Sequence, residues 1–229
     1  MTKNNTLRLT LSAVVIAMLT LMAFVPQIGM IVIIPAFGVS VNFLLIPVCI
    51  AAIILGKYYG FGAGAYLGVL SLILAYMRPS GPIDVLFQYP HLSILPRLPI
   101  GFAVYFAYKL FEKLFSKRKN KYVRESLPVH FAATAGVLTN TILVSVSLFI
   151  TTAAMETDVA FTGALLGILA MNMAFEIVAV NLIVPPVVLA LRKAGFDKIL
   201  DKRKGKPAVT AEKESEQADA ATQEESKNI

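Results

Sequence analysis

The chain has 229 residues, of which 57% are apolar and 15% are charged. A soluble domain of this size cannot bury so much apolar side chain, and a disordered chain would be more polar, so the composition indicates an integral membrane protein. The net charge is +7, and 19 of the 21 Lys and Arg residues precede an acidic tail at 207–229. One cysteine and two histidines exclude a disulfide framework and argue against a metal centre, so we expect no metal, no cofactor and no nucleic-acid partner.

We predict an all-α membrane protein with six transmembrane helices. A helix needs about 20 mainly apolar residues to cross roughly 30 Å of hydrocarbon. No charged residue lies between Arg8 and Lys57, a run of 48 residues, which is enough for two spans. Prolines and glycines interrupt the apolar segment 27–41, and we expect it to dip into the membrane only against protein. The predicted spans are about 8–25, 42–56, 59–77, 93–113, 128–151 and 160–191, in a domain at 1–205 that a disordered tail follows at 206–229.

Span 4 is the least regular of the six, because its uncharged run 98–108 has only 11 residues, about 16 Å of helix. The run must therefore recruit residues 92–97 on one side or 109–115 on the other. Span 1 is longer than a signal-peptide core and no A-x-A site follows it, so we interpret it as a retained span.

The distribution of positive charge orients these spans. With both termini cytoplasmic, the inner segments contain Lys3, Lys57 and the two basic clusters at 109–124 and 192–206. The outer segments contain Arg78, Asp84, Glu156 and Asp158, with Arg97 at a boundary. Since cytoplasmic loops carry an excess of Lys and Arg, we predict a multi-pass protein of the cell membrane with both ends inside.

The sequence contains none of the common catalytic or nucleotide-binding motifs. There is no G-x-x-x-x-G-K-[ST], no H-E-x-x-H and no G-x-S-x-G, and no pair of carboxylates has a spacing suited to acid–base catalysis. We therefore expect a protein that is not an enzyme.

Polar residues within the spans are candidates for a binding site. Asn140 lies near the middle of span 5, and Asn172 and Glu176 lie four residues apart on one face of span 6. Such groups are costly in a membrane and usually face the protein interior or a cavity. They either contact a solute or form hydrogen bonds that hold the spans together.

Arg97 lies between Pro96 and Pro99 at the outer end of span 4. Its guanidinium group suits a carboxylate ligand, and the alternative is a side chain that extends to lipid phosphate. The preceding outer loop, 78–93, is a candidate lid that carries Gln88, Tyr89 and His91, or it is an ordinary interfacial loop.

Small residues recur four apart on three spans, as Ala13 and Ala17, as Gly60, Gly64 and Gly68, and as Ala132 and Gly136. This spacing allows close contact between helices. It indicates a tightly packed bundle or a face that docks a partner.

Several of these features together resemble the S-components of energy-coupling factor (ECF) vitamin transporters. The resemblance covers roughly residues 8–193 and rests on the six short spans, on Ala13-x-x-x-Ala17, on PRLPIGFAVYFAYKL at 96–110 and on AATAGVLTNTILV at 132–144. The last two segments are most similar to the pantothenate-specific S-components.

The resemblance implies a small membrane subunit that binds a vitamin from outside. The candidate site residues are the polar residues already identified from the sequence: Arg97, Asn140, Asn172, Glu176, Gln88, Tyr89 and His91. It implies a transmembrane coupling subunit, which would meet Ala13 and Ala17, and two cytoplasmic ATPases. Segments 27–41 and 78–93 would cap the substrate, although 27–41 is more apolar than a typical lid. In the implied mechanism the subunit reorients in the membrane when ATP is hydrolysed.

Three alternatives remain at this point. The substrate is another vitamin, such as riboflavin; or the chain is a self-sufficient secondary transporter, for which Glu176 is the candidate coupling residue; or it is a membrane assembly protein without a ligand. Substitution of Arg97 and Asn140 would alter ligand binding if the chain binds a vitamin. It would alter only stability if the chain is an assembly protein without a ligand.

Overall fold

The structure is a computed structural model that describes residues 3–34, 39–79, 85–154 and 163–196. The predicted tail at 206–229, the outer-loop residues 80–84 and the connection at 155–162 lie outside the described residues. The described elements are α1 (Lys3–Phe24), α2 (Pro26–Gly29), β1 (Met30–Ile34), β2 (Val39–Asn42), α3 (Leu45–Ile54), α4 (Lys57–Met77), α5 (Pro90–Ser93), α6 (Ile100–Phe115), α7 (Lys121–Ala154) and α8 (Gly163–Lys193).

Four of these helices are long and apolar enough to cross a membrane. They are α1, α4, α7 and α8, with apolar stretches at Thr6–Phe24, Lys57–Met77, Lys121–Ala154 and Leu165–Lys193. Within the described part of the chain, the prediction of a mainly helical membrane protein is therefore confirmed.

Helix α3 forms the centre of the bundle. All ten of its residues are buried, as expected for a helix that is apolar on every side. It is surrounded by five helices, each in contact with the next: α1, α4, α6, α7 and α8. At ten residues α3 is about 15 Å long, so it is too short to cross the membrane alone.

An antiparallel hairpin precedes α3, and this departs from the all-α expectation. Strand β1 pairs with β2, and Met30 and Asn42 form the first pair of the ladder. Strand β2 packs against α8. The segment was expected to be irregular, but the run Ile31–Ile34 is rich in β-branched residues, which favour a strand. Pairing of the two strands satisfies backbone groups that lipid would leave without partners.

Helix α7 is longer than the predicted span at its N-terminal end. It has 34 residues and a length of about 51 Å, so its first turns extend beyond a hydrocarbon layer of roughly 30 Å. These turns contain Lys121, Arg124 and Glu125, which are suited to water. The Asn120 side chain caps the helix by accepting the backbone N–H of Tyr122 at 3.0 Å.

Candidate ligand-binding site

Arg97 lies in the turn between α5 and α6, with its side chain inside the protein. The residue is 6% exposed. Its Nη1 donates to the backbone carbonyls of Leu92 and Ser93, each at 2.9 Å, and its guanidinium carbon lies 5.0 Å from the ring centre of Phe87. The buried Nε has no hydrogen-bond partner among the described residues. One edge of the guanidinium group is therefore held by the protein, while the Nε donor has no partner among the described residues.

Glycines of α4 allow this turn to lie against the helix. A Cβ atom at Gly64 would lie 2.5 Å from the carbonyl oxygen of Arg97, and one at Gly68 would lie 2.9 Å from the Cα of Ile94. The backbones of Gly60 and Gly101 are also in direct contact. For the glycines of α4, the structure supports packing within the bundle rather than docking of a partner.

Glu176 is the second buried charged residue and connects α8 to the hairpin. It is 6% exposed, and its Oε1 accepts the backbone N–H of Asn42 at 3.2 Å. Asn172, one turn earlier on the same face of α8, is half-buried. The carboxylate thus holds the end of β2 against α8.

Asn140 contributes a buried amide on α7. The residue is 8% exposed, and its Oδ1 has no hydrogen-bond partner among the described residues. Buried polar atoms in proteins are almost always paired, so this acceptor is one of the few exceptions among the buried groups that the structure describes.

The hydrogen bonds between α7 and α8 place Asn140 and Glu176 at a similar depth. Asn181 donates to Thr134 at 2.9 Å, which aligns these two residues across the antiparallel helices. With a rise of about 1.5 Å per residue, Asn140 lies about 9 Å beyond Thr134 and Glu176 about 8 Å beyond Asn181, in the same direction.

Arg97 lies near the same depth. A Cβ atom at Gly136 would lie 2.7 Å from the side chain of Val104 and 3.9 Å from that of Ile100, which aligns α7 with the first turns of α6. Asn140 is one turn beyond Gly136, and Arg97 is three residues before Ile100, again in the same direction. The structure therefore brings a cation, an amide and a carboxylate to one level of the bundle.

Arg97 and Glu176 are close enough to interact electrostatically. They do not form an ion pair shorter than 4 Å, whereas Lys109 and Glu112 at the opposite end of α6 do, at 2.7 Å. The Glu176 carboxylate therefore does not occupy the guanidinium group of Arg97.

The predicted lid residues bind the ends of neighbouring helices. Gln88 Nε2 donates to the carbonyl of Ala75 on α4 at 3.1 Å. His91 Nε2 and the Thr151 hydroxyl on α7 are 3.0 Å apart. Tyr89 is 37% exposed, and its ring lies 5.7 Å from that of His91. These contacts hold the loop over the end of the bundle that contains Arg97.

Sequence reasoning missed three residues of this site. Phe87 lies under the guanidinium group, Ser93 supplies one of its carbonyl partners, and Asn42 binds Glu176 through its backbone. The Ser93 hydroxyl also donates to the Phe87 carbonyl, which closes the loop. The Ser93 and Phe87 contacts are made within the segment that precedes Arg97, whereas the Asn42 contact joins residues 134 apart in the chain.

Asn181 illustrates the alternative that polar groups hold the spans together. Its side chain bonds to His130 at 3.0 Å, to Thr134 at 2.9 Å and to its own helix at the Ile177 carbonyl. These bonds use both the oxygen and the nitrogen of the side-chain amide, so Asn181 joins α7 to α8.

The comparison with known families defines the class of this protein. Residues 7–188 match the family described as "ECF transporter, substrate-specific component", and the chain belongs to this family. It is a membrane protein of a transporter family whose members bind the transported substrate, a vitamin, and work with the ECF module.

One relative is more specific. The chain is 28% identical over 190 residues to the pantothenate transporter PanT of Leuconostoc mesenteroides subsp. mesenteroides. The alignment covers 78% of this chain and 88% of that protein.

Proposed function

We propose that this chain is the high-affinity pantothenate-binding subunit of an ECF-type importer. The buried Arg97 with an unpartnered Nε carries the proposal, because a buried cation with a free donor calls for an anionic ligand. The likeness to a pantothenate transporter supports the choice of this anion among vitamins.

The chemistry of pantothenate matches the groups at this level of the bundle. Its carboxylate would accept hydrogen bonds from Arg97. Its hydroxyls and amide N–H are donors for the unpaired Oδ1 of Asn140, and Asn172 and Glu176 offer further polar contacts. The loop with Gln88, Tyr89 and His91 would close over the bound molecule. Analogues that lack these groups would leave buried partners unpaired, and this would penalise their binding.

We also propose six membrane crossings with both termini in the cytoplasm. In this topology the hairpin and the short helix α3 together form the second crossing, and α6 with the turn before it forms the fourth. The hairpin is acceptable at membrane depth where protein covers it. The proposed transmembrane domain comprises residues 1–205, and the proposed tail comprises residues 206–229.

The proposed partners are a transmembrane coupling subunit and two cytoplasmic ATPases, with lipid around the bundle. Ala13 and Ala17 are exposed on α1 and offer a flat face to the coupling subunit. Helix α1 is attached to α4 by the bond between Thr20 and Tyr66 at 2.7 Å. Binding to α1 would thus act on the whole bundle, and the subunit would reorient to deliver its substrate.

Replacing both Ala13 and Ala17 with Leu should prevent assembly with the coupling subunit while leaving pantothenate binding unchanged. The added side chains project from an exposed face, so they block close approach of a partner without disturbing the core. Co-purification of the coupling subunit measures the effect. Val14→Leu, which enlarges another exposed residue of α1, should assemble normally. Normal assembly of the double variant would contradict this interface.

Replacing Glu176 with Gln should leave ATP-driven uptake of pantothenate largely intact. Gln retains an oxygen that can accept the Asn42 N–H, so the hairpin stays attached to α8. The measurement is uptake of radiolabelled pantothenate by cells that also express the coupling subunit and ATPases. If uptake instead proceeds without functional ATPases, and Glu176→Gln abolishes it, the chain is a secondary transporter.

The same cells test the proposed function itself. Uptake should require this chain together with functional ATPases, and an ATPase variant unable to hydrolyse ATP should abolish it. Uptake of another vitamin, such as riboflavin, in place of pantothenate would reject the proposed substrate.

A further inference from the structure

A cavity of about 510 Å³ lies where α6 ends and α7 begins, at the opposite end of α6 from Arg97. Its rim carries three exposed cations, Lys117, Arg118 and Lys119. Among the residues that the structure describes, none that lines it is acidic.

The inner wall of this cavity is apolar. Phe115, Val123 and Leu127 line it, and each is half-buried. A water-filled binding site for an inorganic anion would not need such a wall. The cavity thus combines positive charge on one side with hydrocarbon on the other.

An aromatic surface continues from the cavity along the sides of the helices. The rings of Phe111 and Phe131 are stacked with centres 4.2 Å apart, and the Phe115 ring lies 5.9 Å from that of Phe131. Phe131 is 41% exposed. A molecule with its charged end in the cavity would have its apolar part against these rings.

We infer that this cavity binds the headgroup of an anionic phospholipid. The connection and the residues next to it, 113–124, contain six Lys and Arg residues and no acidic residue. Basic clusters beside a membrane helix attract anionic headgroups. An acidic protein surface would match the charge, but it would not use the apolar wall and the aromatic surface. The inference does not depend on the identity of the vitamin.

The turn that presents the cations is well defined. The backbone N–H of Arg118 donates to the Phe115 carbonyl at 3.1 Å. Asn120 then caps α7 by accepting the N–H of Tyr122. The turn therefore places the three cations between the end of α6 and the beginning of α7.

The test compares phosphatidylglycerol with phosphatidylcholine of identical acyl chains, each added to the purified protein and counted as bound lipid by native mass spectrometry. The variant K117Q/R118Q/K119Q removes the rim charges. The chain offers a matched control, since Lys202, Arg203 and Lys204 repeat the same Lys-Arg-Lys sequence outside the described residues. A second variant, Val123→Glu, adds a negative charge to the wall.

We expect tighter binding of phosphatidylglycerol than of phosphatidylcholine by the native protein. The rim variant and Val123→Glu should weaken phosphatidylglycerol binding on the order of 10-fold or more, while K202Q/R203Q/K204Q leaves it unchanged. Inorganic phosphate should not compete, because it lacks the acyl chains. Equal binding of both lipids, or equal effects of the two triple variants, would overturn the inference. If the rim variant K117Q/R118Q/K119Q binds lipid normally but no longer assembles with the coupling subunit, the inference is overturned in favour of a protein partner.

Discussion

Arg97→Ala should weaken pantothenate binding by at least about 100-fold, which corresponds to about 3 kcal/mol. The substitution removes the buried cation that would pair with the carboxylate. Arg97→Lys should also weaken binding strongly, because an ammonium group cannot hold the Leu92 and Ser93 carbonyls and a carboxylate in the same planar arrangement. Equilibrium binding to the purified variants measures both effects.

Two controls separate a ligand contact from a structural role of Arg97. Arg78→Ala removes an arginine that donates to the carbonyls of Ala23 and Phe24 at the end of α1, and it should leave binding unchanged. The second control is an analogue of pantothenate in which an alcohol replaces the carboxylate. The native protein should prefer the acid, and Arg97→Ala should lose this preference. If the preference persists in a folded variant, Arg97 does not bind the carboxylate.

Gly64→Ala should lower both the stability of the protein and its affinity for pantothenate. The new Cβ atom would lie 2.5 Å from the carbonyl oxygen of Arg97, so the turn must move away from α4. Overpacking of this kind costs about 1–3 kcal/mol, which lowers Tm by roughly 2–12 °C for a chain of this size. The displaced turn carries Arg97, and affinity should fall with it.

Gly62→Ala is the matched control for this substitution. Gly62 lies two residues away on the same helix, and a Cβ atom there would meet nothing within 4 Å. Alanine in place of an exposed glycine within a helix should leave Tm unchanged or raise it slightly. Equal effects of Gly62→Ala and Gly64→Ala on Tm and on affinity would contradict the proposed support of Arg97 by α4.

The long helices could be predicted from the sequence because long apolar runs with few or no charged residues mark them directly. The hairpin could not, since a short apolar run such as 30–34 has the same appearance in a buried helix and in a strand. The beginning of α7 was also missed, because hydropathy detects the membrane-buried part of a helix and not the polar turns beyond it.

The candidate site was predictable only in part. Arg97 and Glu176 were found because charged residues within apolar spans are rare. The sequence could not show that Asn181 joins two helices while the Oδ1 of Asn140 is unpaired, since this difference depends on which side chains face each residue. Asn42 reaches Glu176 from a segment distant in the chain, so only the fold reveals this contact.

The most direct test of the account is equilibrium binding of radiolabelled pantothenate to the purified protein in detergent, with other vitamins, including riboflavin, as competitors. We predict saturable, tight binding that unlabelled pantothenate displaces and riboflavin does not. Tight binding of a different vitamin would contradict the proposed substrate while leaving the family assignment intact. Failure of the folded protein to bind any vitamin would contradict the proposed binding function.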